Sequence, residues 1–329
     1  MRFKSLMFLL VWLLSFMGQS VLAADFFTIM SGGLDVGLGY RTDQLDWNTS
    51  YDLVGGSPNI YSELSWNDIE VLQLQLSSRL ELGELPFLNS PTLIQVNAAV
   101  GKIFAGDYQD SDYATDNRGD EWSRSVGDSK KGFTVDISGG FGPTFKFNKL
   151  QGFTFAPLVG YGFDMQELSM TSGMQIVSNS GIKPGNSISL PNVNSELSGL
   201  DSTYTAYWYG PWLGFNGEYQ INEKFKLAAG VEFHWIEYYA QANWNLRTDF
   251  EHPVSFEHDT TGTGVVLNIK GSYVINEKWS LLISGNYRDW ETESGTARFF
   301  MDDSTVSKTR LNGVNWKSLA LNFGVGYCF

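Results

Sequence analysis

A cluster of acidic residues in the first half of the chain has residue types that bind divalent cations. Its carboxylates stand among hydroxyl-bearing side chains, and carboxylate and carbonyl oxygens are the ligands that Ca²⁺ takes in proteins. The spacing lacks the glycine turn and the closing glutamate of an EF-hand loop, and basic side chains follow that would neutralise the acids. The weak calcium candidates are Asp107, Asp110, Asp112 and Asp116. No cofactor is predicted.

A later segment brings carboxylate and imidazole groups close together in sequence. Asp249 and His252 precede His258, and a histidine beside carboxylates suits proton transfer near neutral pH. The spacing matches no HExxH motif, and the chain has neither a glycine-rich phosphate loop nor a GxSxG elbow. These residues indicate a structured loop, with a hydrolytic or metal site as the alternative.

Ionisable side chains also recur on the polar face of strand-like segments. They are Asp35, Arg41, Asp136, Asp164, Glu232, His234, Lys270 and Arg288. Inside a narrow barrel, mixed charges of this kind pair with one another and hold the strands in register. A conducting path or a proton-active site is the alternative. Glu232 and His234, without a nucleophile, are only a weak sign of catalysis.

The segments that carry these side chains alternate with a period of two. Near the C-terminus, Leu319, Leu321 and Phe323 are separated by Ala320 and Asn322. Such alternation predicts β-strands. One face is continuously apolar and the other is small or polar, which suits lipid outside and water or side chains inside. The pattern favours an all-β, ten-stranded antiparallel transmembrane β-barrel over a soluble β-sandwich, whose outward face would be polar.

Ten segments share this alternation and are joined by connections of alternating length. The predicted strands are 31–47, 60–83, 92–106, 132–147, 153–168, 203–220, 225–245, 263–274, 279–293 and 314–329. Short turns that alternate with long loops are typical of outer-membrane barrels, in which the turns and both termini face the periplasm.

The N-terminus predicts export. Arg2 and Lys4 precede the apolar stretch 6–17, and Val21-Leu22-Ala23 suits cleavage before Ala24. We therefore predict a signal peptide over 1–23 and a single barrel domain over 24–329, in the outer membrane of a Gram-negative bacterium.

Charge and composition narrow the expected partners. The net charge of −14 argues against nucleic acid, which requires clustered basic residues. Outer-membrane lipid and lipopolysaccharide are the expected surroundings. Small solutes that cross the membrane through the lumen are a further class of candidate partner. A C-terminal aromatic residue in the last strand, here Phe329, is a common signal to the barrel-assembly machinery.

Two stretches, 62–69 and 107–111, resemble the omptin family of outer-membrane aspartyl proteases. That resemblance implies two Asp residues at the top of one strand and an Asp–His pair across the mouth, which together activate a water. In the ungapped register, Asp107 fills one acidic position and Ala105 the other.

Asn243 and Asn245 stand where the omptin Asp–His pair belongs, and an amide cannot serve as a general base. If the alignment is shifted by a few residues, Asp249 and His252 become the candidates for that Asp–His pair instead. The stretches 106–113, 210–212 and 250–253 also look similar to the Protochlamydia outer membrane protein family, which implies an omptin-like barrel that is porin-like and has no assigned catalytic residues.

The sequence therefore predicts an outer-membrane β-barrel that is porin-like or a structural surface protein without catalysis. An omptin-like endopeptidase is the alternative, and an adhesin-like role carried by the acidic loops is a further one. Whether the chain is an enzyme stays uncertain from the sequence, with the replaced omptin positions favouring no catalysis.

Overall fold

The computed structural model describes residues 29–84, 90–147, 151–182 and 190–329. The predicted signal peptide, residues 1–23, lies outside the described residues. Within these four ranges, thirteen β-strands form one sheet. They are β1 (Ile29–Thr49), β2 (Ser62–Glu84), β3 (Pro91–Thr115), β4 (Gly119–Asp128), β5 (Gly132–Pro143), β6 (Phe145–Lys146), β7 (Phe153–Ser178), β8 (Asp201–Gln220), β9 (Phe225–Asn243), β10 (Phe256–Val274), β11 (Trp279–Thr292), β12 (Gly295–Phe300) and β13 (Val306–Cys328). Across these four ranges, no helix has the length and apolar character needed to cross a membrane.

The sheet closes on itself through antiparallel pairs. Leu38 of β1 pairs with Leu74 of β2 on one side and with Phe323 of β13 on the other, so the first and last strands are neighbours. Strands β4, β5 and β6 together form one wall between β3 and β7, and β11 and β12 form another between β10 and β13. The ring therefore has ten walls, which confirms the predicted ten-stranded antiparallel barrel.

A band of exposed apolar side chains, which we call the lipid belt, surrounds the part of the barrel nearer the short turns and the termini. Its members point outward from every wall, where a soluble protein would be polar. They include Leu34, Val36, Leu38, Leu72, Leu74, Leu76, Val96, Val100, Phe104, Phe133, Phe141, Val159, Leu213, Phe215, Phe233, Trp235, Leu267, Ile269, Leu281, Ile283, Leu319, Leu321 and Phe323.

The strands continue beyond the lipid belt, and there the inner face of the barrel is apolar and the outer face is polar. On β1, Leu45 and Trp47 point inward and are buried, while Gln44 points outward and is exposed. On β11, Trp290 is buried between the outward-facing Asp289 and Glu291. This upper part is built like a water-soluble barrel with an apolar core.

The strands therefore extend into regions that the sequence assigns to loops. Residues 107–128 form the end of β3 and the whole of β4 as a hairpin, and residues 295–300 form β12. The expectation of long loops fails here because it relied on an apolar outward face, which a strand needs only where it touches lipid.

Glycines in the lower interior make room for tryptophan rings. A Cβ built on Gly140 would lie 2.4 Å from Cη2 of Trp212, and one built on Gly160 would lie 2.3 Å from Cε2 of the same ring. The Trp212 side chain is 1% exposed, and its Nε1 donates to Ser138 Oγ at 3.1 Å. The absence of side chains at these glycines lets a large ring lie across the interior of the barrel.

Two adjacent glycines on β5 test this packing. Gly140→Ala should destabilise the barrel by about 1–3 kcal/mol, because its new methyl group overlaps the Trp212 ring. Gly139→Ala is the matched control, since its Cβ would meet no atom closer than 3.9 Å. Urea unfolding in detergent micelles measures both changes. Equal losses in the two variants would contradict the proposed role of the Trp212 contact.

Candidate functional site

The predicted interior residues form a buried ionic network in the middle of the barrel. Arg41 donates from Nε and Nη2 to the two carboxylate oxygens of Asp43, at 2.7 and 2.5 Å, and from Nη1 to Asp136 Oδ2 at 2.7 Å. All three side chains are almost wholly inaccessible to solvent. Gln166 Nε2 adds a hydrogen bond to Asp43 Oδ2 at 2.9 Å. The network joins strands from opposite parts of the ring.

A second guanidinium completes this network. Arg288 Nη1 lies 3.0 Å from Asp136 Oδ2, and its Nη2 lies 3.4 Å from Asp164 Oδ1. Asp136 and Asp164 are direct cross-strand partners on β5 and β7, so their carboxylates face the same two arginines. Burying one charge without a partner is costly, and this arrangement gives every charge at least one partner of opposite sign.

The remaining interior candidates form two separate pairs. His234 Nε2 lies 3.0 Å from Glu232 Oε2 on β9, and Lys270 Nζ lies 2.8 Å from Asp35 Oδ2 between β10 and β1. The structure thus places all eight predicted interior residues on the inner face of the barrel. Four of them meet in the ionic network and the other four form these two pairs, an arrangement that suits the holding of register.

An aromatic core closes the interior above this network. It consists of inward-facing rings on most of the walls, and Arg41 lies over the Trp316 ring at 5.4 Å. The ring centroids of Trp208 and Trp316 are 5.7 Å apart, and those of Trp290 and Trp316 are 5.1 Å apart. The core comprises Trp47, Trp66, Tyr204, Trp208, Tyr238, Phe256, His258, Trp290 and Trp316.

Below the network, the interior is a polar cavity of about 550 Å³. Its roof includes Asp136 and Asp164, and its lower rim includes Lys278 and Phe329 near the short turns and the C-terminus. The barrel interior is therefore polar and open toward the turn end, and packed with aromatic side chains toward the loop end.

Asp107 is the residue that the omptin resemblance places at an acidic catalytic position. Its side chain points away from the mouth of the barrel, by which we mean the interior at the loop end above the aromatic core. Ile103 and Tyr108 are both buried on the inner side of β3, although they are five positions apart. A β-bulge, which appears as register shifts where β3 pairs with Asn67 and Glu70 of β2, exchanges the inward and outward phases between them. Asp107 is consequently exposed on the outer face.

Two other acids of the same segment do face the interior of the mouth. Asp110 and Asp112 share the inward phase of Tyr108, and Arg247, in the loop after β9, approaches them from across the ring. Burial raises the pKa of Asp110 well above its ordinary value, the charge of Asp112 raises it further, and Arg247 opposes both effects. The mouth thus combines acidic strand ends with a basic loop.

The loop after β9 holds the other omptin-like candidates. Arg247 donates to both carboxylate oxygens of Asp249 at 2.8 Å, and its guanidinium lies over the Phe250 ring at 4.3 Å. His252 Nδ1 lies 2.8 Å from Asn243 Oδ1, and Nε2 lies 3.2 Å from the Arg247 carbonyl. These contacts organise the loop, and Asp107 does not join them.

Asn245 and Ala105 occupy structural positions. The Asn245 side chain accepts from the Asp201 N–H at 2.9 Å and donates to the Gly199 carbonyl at 2.8 Å, which ties two loops together. Ala105 lies in the bulge of β3, paired with Glu70.

The calcium candidates do not converge. Within the described part of the chain, no group of three or more His, Cys, Asp or Glu side chains is arranged to hold a metal ion. Asp116 instead accepts from the Asn59 N–H at 2.8 Å, and Asp107 faces outward.

Sequence reasoning missed the aromatic core and assigned His258, which lies within it on β10, to a loop. His258 is wholly buried, with Tyr204 Oη 2.9 Å from its Nδ1, and Tyr204 Oη is 2.6 Å from Tyr238 Oη. Its ring meets Trp47 edge-on at 4.8 Å. The signal available in the sequence was the inward phase of these aromatic residues above the lipid belt.

The carboxyl group of Asp110 offers a direct test of the mouth. Because its pKa is raised in the folded state, folding is favoured when Asp110 is protonated, and this advantage is lost as the pH rises through that pKa. Asp110→Asn should therefore raise the free energy of unfolding at pH 7 by on the order of 1 kcal/mol, with no gain at acidic pH. Asp107→Asn, on the outer face, should change it by less than about 0.5 kcal/mol. Urea titrations at both pH values separate the two variants.

Acid should destabilise the barrel through His258. Burial lowers the pKa of its imidazole to about 3, so the unfolded chain binds a proton below pH 6.5 that the folded protein excludes. Stability is thus complete above pH 6.5 and falls by up to about 1.4 kcal/mol per pH unit below it. In His258→Phe the urea midpoint should decline less between pH 7 and pH 4. Tyr204→Phe should keep the wild-type slope, because burial, not the hydroxyl, lowers the pKa; a common slope in all three proteins would refute this.

Several solved outer-membrane proteins align with this chain. The outer membrane protease OmpT from Escherichia coli aligns with a TM-score of 0.68 at 14% identity, over 92% of this chain and 98% of that chain. OprG from Pseudomonas aeruginosa aligns with a TM-score of 0.32 at 11% identity, over 91% and 95%. A major outer membrane protein from Thermus thermophilus gives 0.29 at 11% identity, over 89% and 99%. The first of these alignments confirms the omptin-like barrel fold.

No curated protein sequence matches this chain significantly. A family model does match residues 35–329, which include all ten walls of the barrel. This match confirms the outer-membrane location and the barrel's association with membrane lipid. The chain belongs to the Protochlamydia outer membrane protein family.

Proposed function

We propose that this outer-membrane barrel is a closed structural surface protein and does not conduct solutes through its lumen. The observation that carries this proposal is the aromatic core above the ionic network. Trp66, Trp208 and Trp316 are each 0% exposed, and Trp290 is 1% exposed. Side chains that are inaccessible to water in this way leave no aqueous path between the cavity and the mouth.

The orientation of the barrel follows the lengths of its connections. The short turns, including 221–224 and 275–278, lie at the same end as β1's start and β13's end. In outer-membrane barrels this end faces the periplasm. The polar cavity would then open to the periplasm, and the aromatic core and the mouth would face outward.

The endopeptidase alternative has weaker support. It requires Asp107 to share a water with Asp249 or His252 across the mouth. The outward direction of Asp107, and the involvement of Asp249 and His252 in contacts within their own loop, favour a structural role for these residues.

Assembly would depend on the C-terminal residue. The Phe329 N–H donates to the Gly32 carbonyl at 3.0 Å, and its ring covers Gly32, where a Cβ would lie 2.3 Å from Cε2. A terminal aromatic side chain in the closing strand is consistent with recognition by the barrel-assembly machinery before β1 and β13 pair. Lipopolysaccharide is the expected lipid around the outer rim.

Planar-bilayer conductance tests whether the lumen is closed. The wild-type barrel should show no stable channel openings, whereas Trp208→Ala combined with Trp316→Ala should produce openings because it removes two rings from the aromatic core. The matched control is Trp235→Ala, which removes a tryptophan from the lipid belt and should stay silent.

Stable wild-type conductance that persists after purification would reject the closed barrel in favour of a porin-like channel. Cleavage of a dibasic peptide by the wild type, lost in His252→Ala, would instead favour the endopeptidase. Absence of both activities, with openings only in the double variant, is the expected result.

A further inference from the structure

The triplet Arg118-Gly119-Asp120 lies at the tip of the β3–β4 hairpin, at the loop end of the barrel. Both of its charged side chains are exposed. We propose that this tip binds a cell-surface receptor whose cleft combines an acidic pocket for the arginine with a bound divalent cation for the aspartate. The interaction goes beyond the proposed structural role. It rests on the proposed orientation, which places the hairpins outside the cell, and it does not depend on a closed lumen.

A tight turn holds the triplet at the end of the hairpin. The Gly119 N–H donates to the Asp116 carbonyl at 3.1 Å. Between these two residues, Asn117 and Arg118 both have positive φ, at 58° and 62°, as in the type I′ turns that join paired strands. Asp120 follows with a φ of 49°. Both charged residues of the triplet thus adopt a backbone conformation that is costly for residues with a side chain, and such conformations concentrate at functional sites.

The middle position of the triplet requires glycine. A Cβ built on Gly119 would lie 2.3 Å from Thr115 Oγ1 and 3.1 Å from the Asp116 carbonyl oxygen. With that space free, the Thr115 hydroxyl donates to Asp120 Oδ2 at 3.1 Å across the hairpin. The glycine therefore allows the two strands to approach, and the hydroxyl orients the carboxylate of the triplet.

The neighbouring β1–β2 loop braces the tip. The Asn59 N–H donates to Asp116 Oδ1 at 2.8 Å, and the Asn117 N–H donates to Asn59 Oδ1 at 2.8 Å. A loop that is already ordered loses less conformational freedom when it binds a partner. These contacts therefore prepare the triplet for recognition.

The two charged groups of the triplet remain available to a partner. Among the described residues, Arg118 pairs with Glu63 of β2, through Nε at 3.0 and 3.1 Å and through Nη2, and its side chain is still 51% exposed. The Asp120 carboxylate lies beside the Thr115 hydroxyl instead. Because an exposed ion pair contributes little, exchanging Glu63 for a carboxylate of a receptor would reduce the affinity by at most about fivefold.

The chemistry of the triplet specifies the receptor. A guanidinium presents a planar fork of donors that matches a carboxylate, and an exposed carboxylate is a ligand that Mg²⁺ and similar hard cations accept. Since one glycine separates the two groups, a single cleft must offer both partners side by side. Asp116, Asp120 and Glu121 would repel a nucleic acid or an anionic lipid surface, which excludes these as the occupant.

Binding of the barrel in lipid nanodiscs to an integrin ectodomain that recognises Arg-Gly-Asp peptides is the direct test, in buffer with Mg²⁺ and Mn²⁺. Surface plasmon resonance should show saturable binding that EDTA abolishes. Asp120→Glu should weaken it at least about tenfold, because the added methylene displaces the carboxylate from the cation. Asp107→Glu, the same change on the outer face of the hairpin's stem, should leave it unchanged. Glu63→Gln should strengthen it by up to about fivefold, because Arg118 loses its competing partner.

Several outcomes would overturn the proposal. They are no saturable binding at micromolar receptor, binding that resists EDTA, weaker binding by Glu63→Gln, and equal losses in Asp120→Glu and Asp107→Glu. Heat-modifiable migration on gels shows that each variant is folded. If Asp120→Glu does not fold, competition by the free peptide Gly-Arg-Gly-Asp-Ser-Pro, compared with Gly-Arg-Gly-Glu-Ser-Pro, decides the result.

A separate measurement tests the orientation on which the proposal rests. A membrane-impermeant maleimide applied to intact cells should label Val54→Cys, because Val54 is 83% exposed at the loop end. It should not label the wild type, whose single cysteine, Cys328, lies at the turn end. The reverse pattern would place the triplet in the periplasm and overturn the proposal. Conductance is measured independently, so failure of receptor binding and failure of the closed-barrel proposal are distinguishable.

Discussion

The interior of a ten-stranded barrel is narrow enough for side chains to fill, and the way it is filled determines what this protein can do. Barrels of about eight strands are just wide enough for packed side chains. Here the lower interior is lined by small and polar residues and encloses a cavity, while the upper interior is filled by tryptophan and tyrosine rings. The boundary between them is the Arg41–Arg288 network, which is polar below and covered by Trp316 above.

That boundary is energetically demanding. Removing ions from water costs several kcal/mol per charge, and loss of one partner of a buried pair costs about 3–5 kcal/mol. The two arginines reach three different carboxylates on β1, β5 and β7, so one network fixes the relative positions of distant walls.

The sequence was sufficient to predict the barrel architecture, but not the arrangement of side chains at the mouth. Alternation of Leu319, Leu321 and Phe323 with small residues predicted the closing strand and its lipid-facing side. Above the lipid belt the alternation continues, but the apolar side chains face inward and the polar side chains face outward. Because the sequence analysis looked for an apolar outward face, it assigned these parts of the strands to loops. The direction of the Asp107 side chain could not be predicted for a different reason. The β-bulge beside it shifts the alternation of inward and outward side chains by one residue, and the periodicity of the sequence alone does not reveal such a shift. The role of His258 could not be predicted from its neighbours in the sequence, because Trp47 and Tyr204, which contact its ring, come from β1 and β8.

The strands that continue above the lipid belt also determine how far the molecule projects. From Phe104 to Thr115, β3 would rise roughly 28 Å at about 3.3 Å per residue and a tilt of about 40°. At that height Asn59 and Asn117 join the tips of neighbouring hairpins, with Asn59 Nδ2 donating to Asn117 Oδ1 at 3.2 Å. These joined hairpins would therefore project beyond the lipid headgroups as one rigid extension of the barrel. A molecule that approaches from outside the cell would first contact their polar tips.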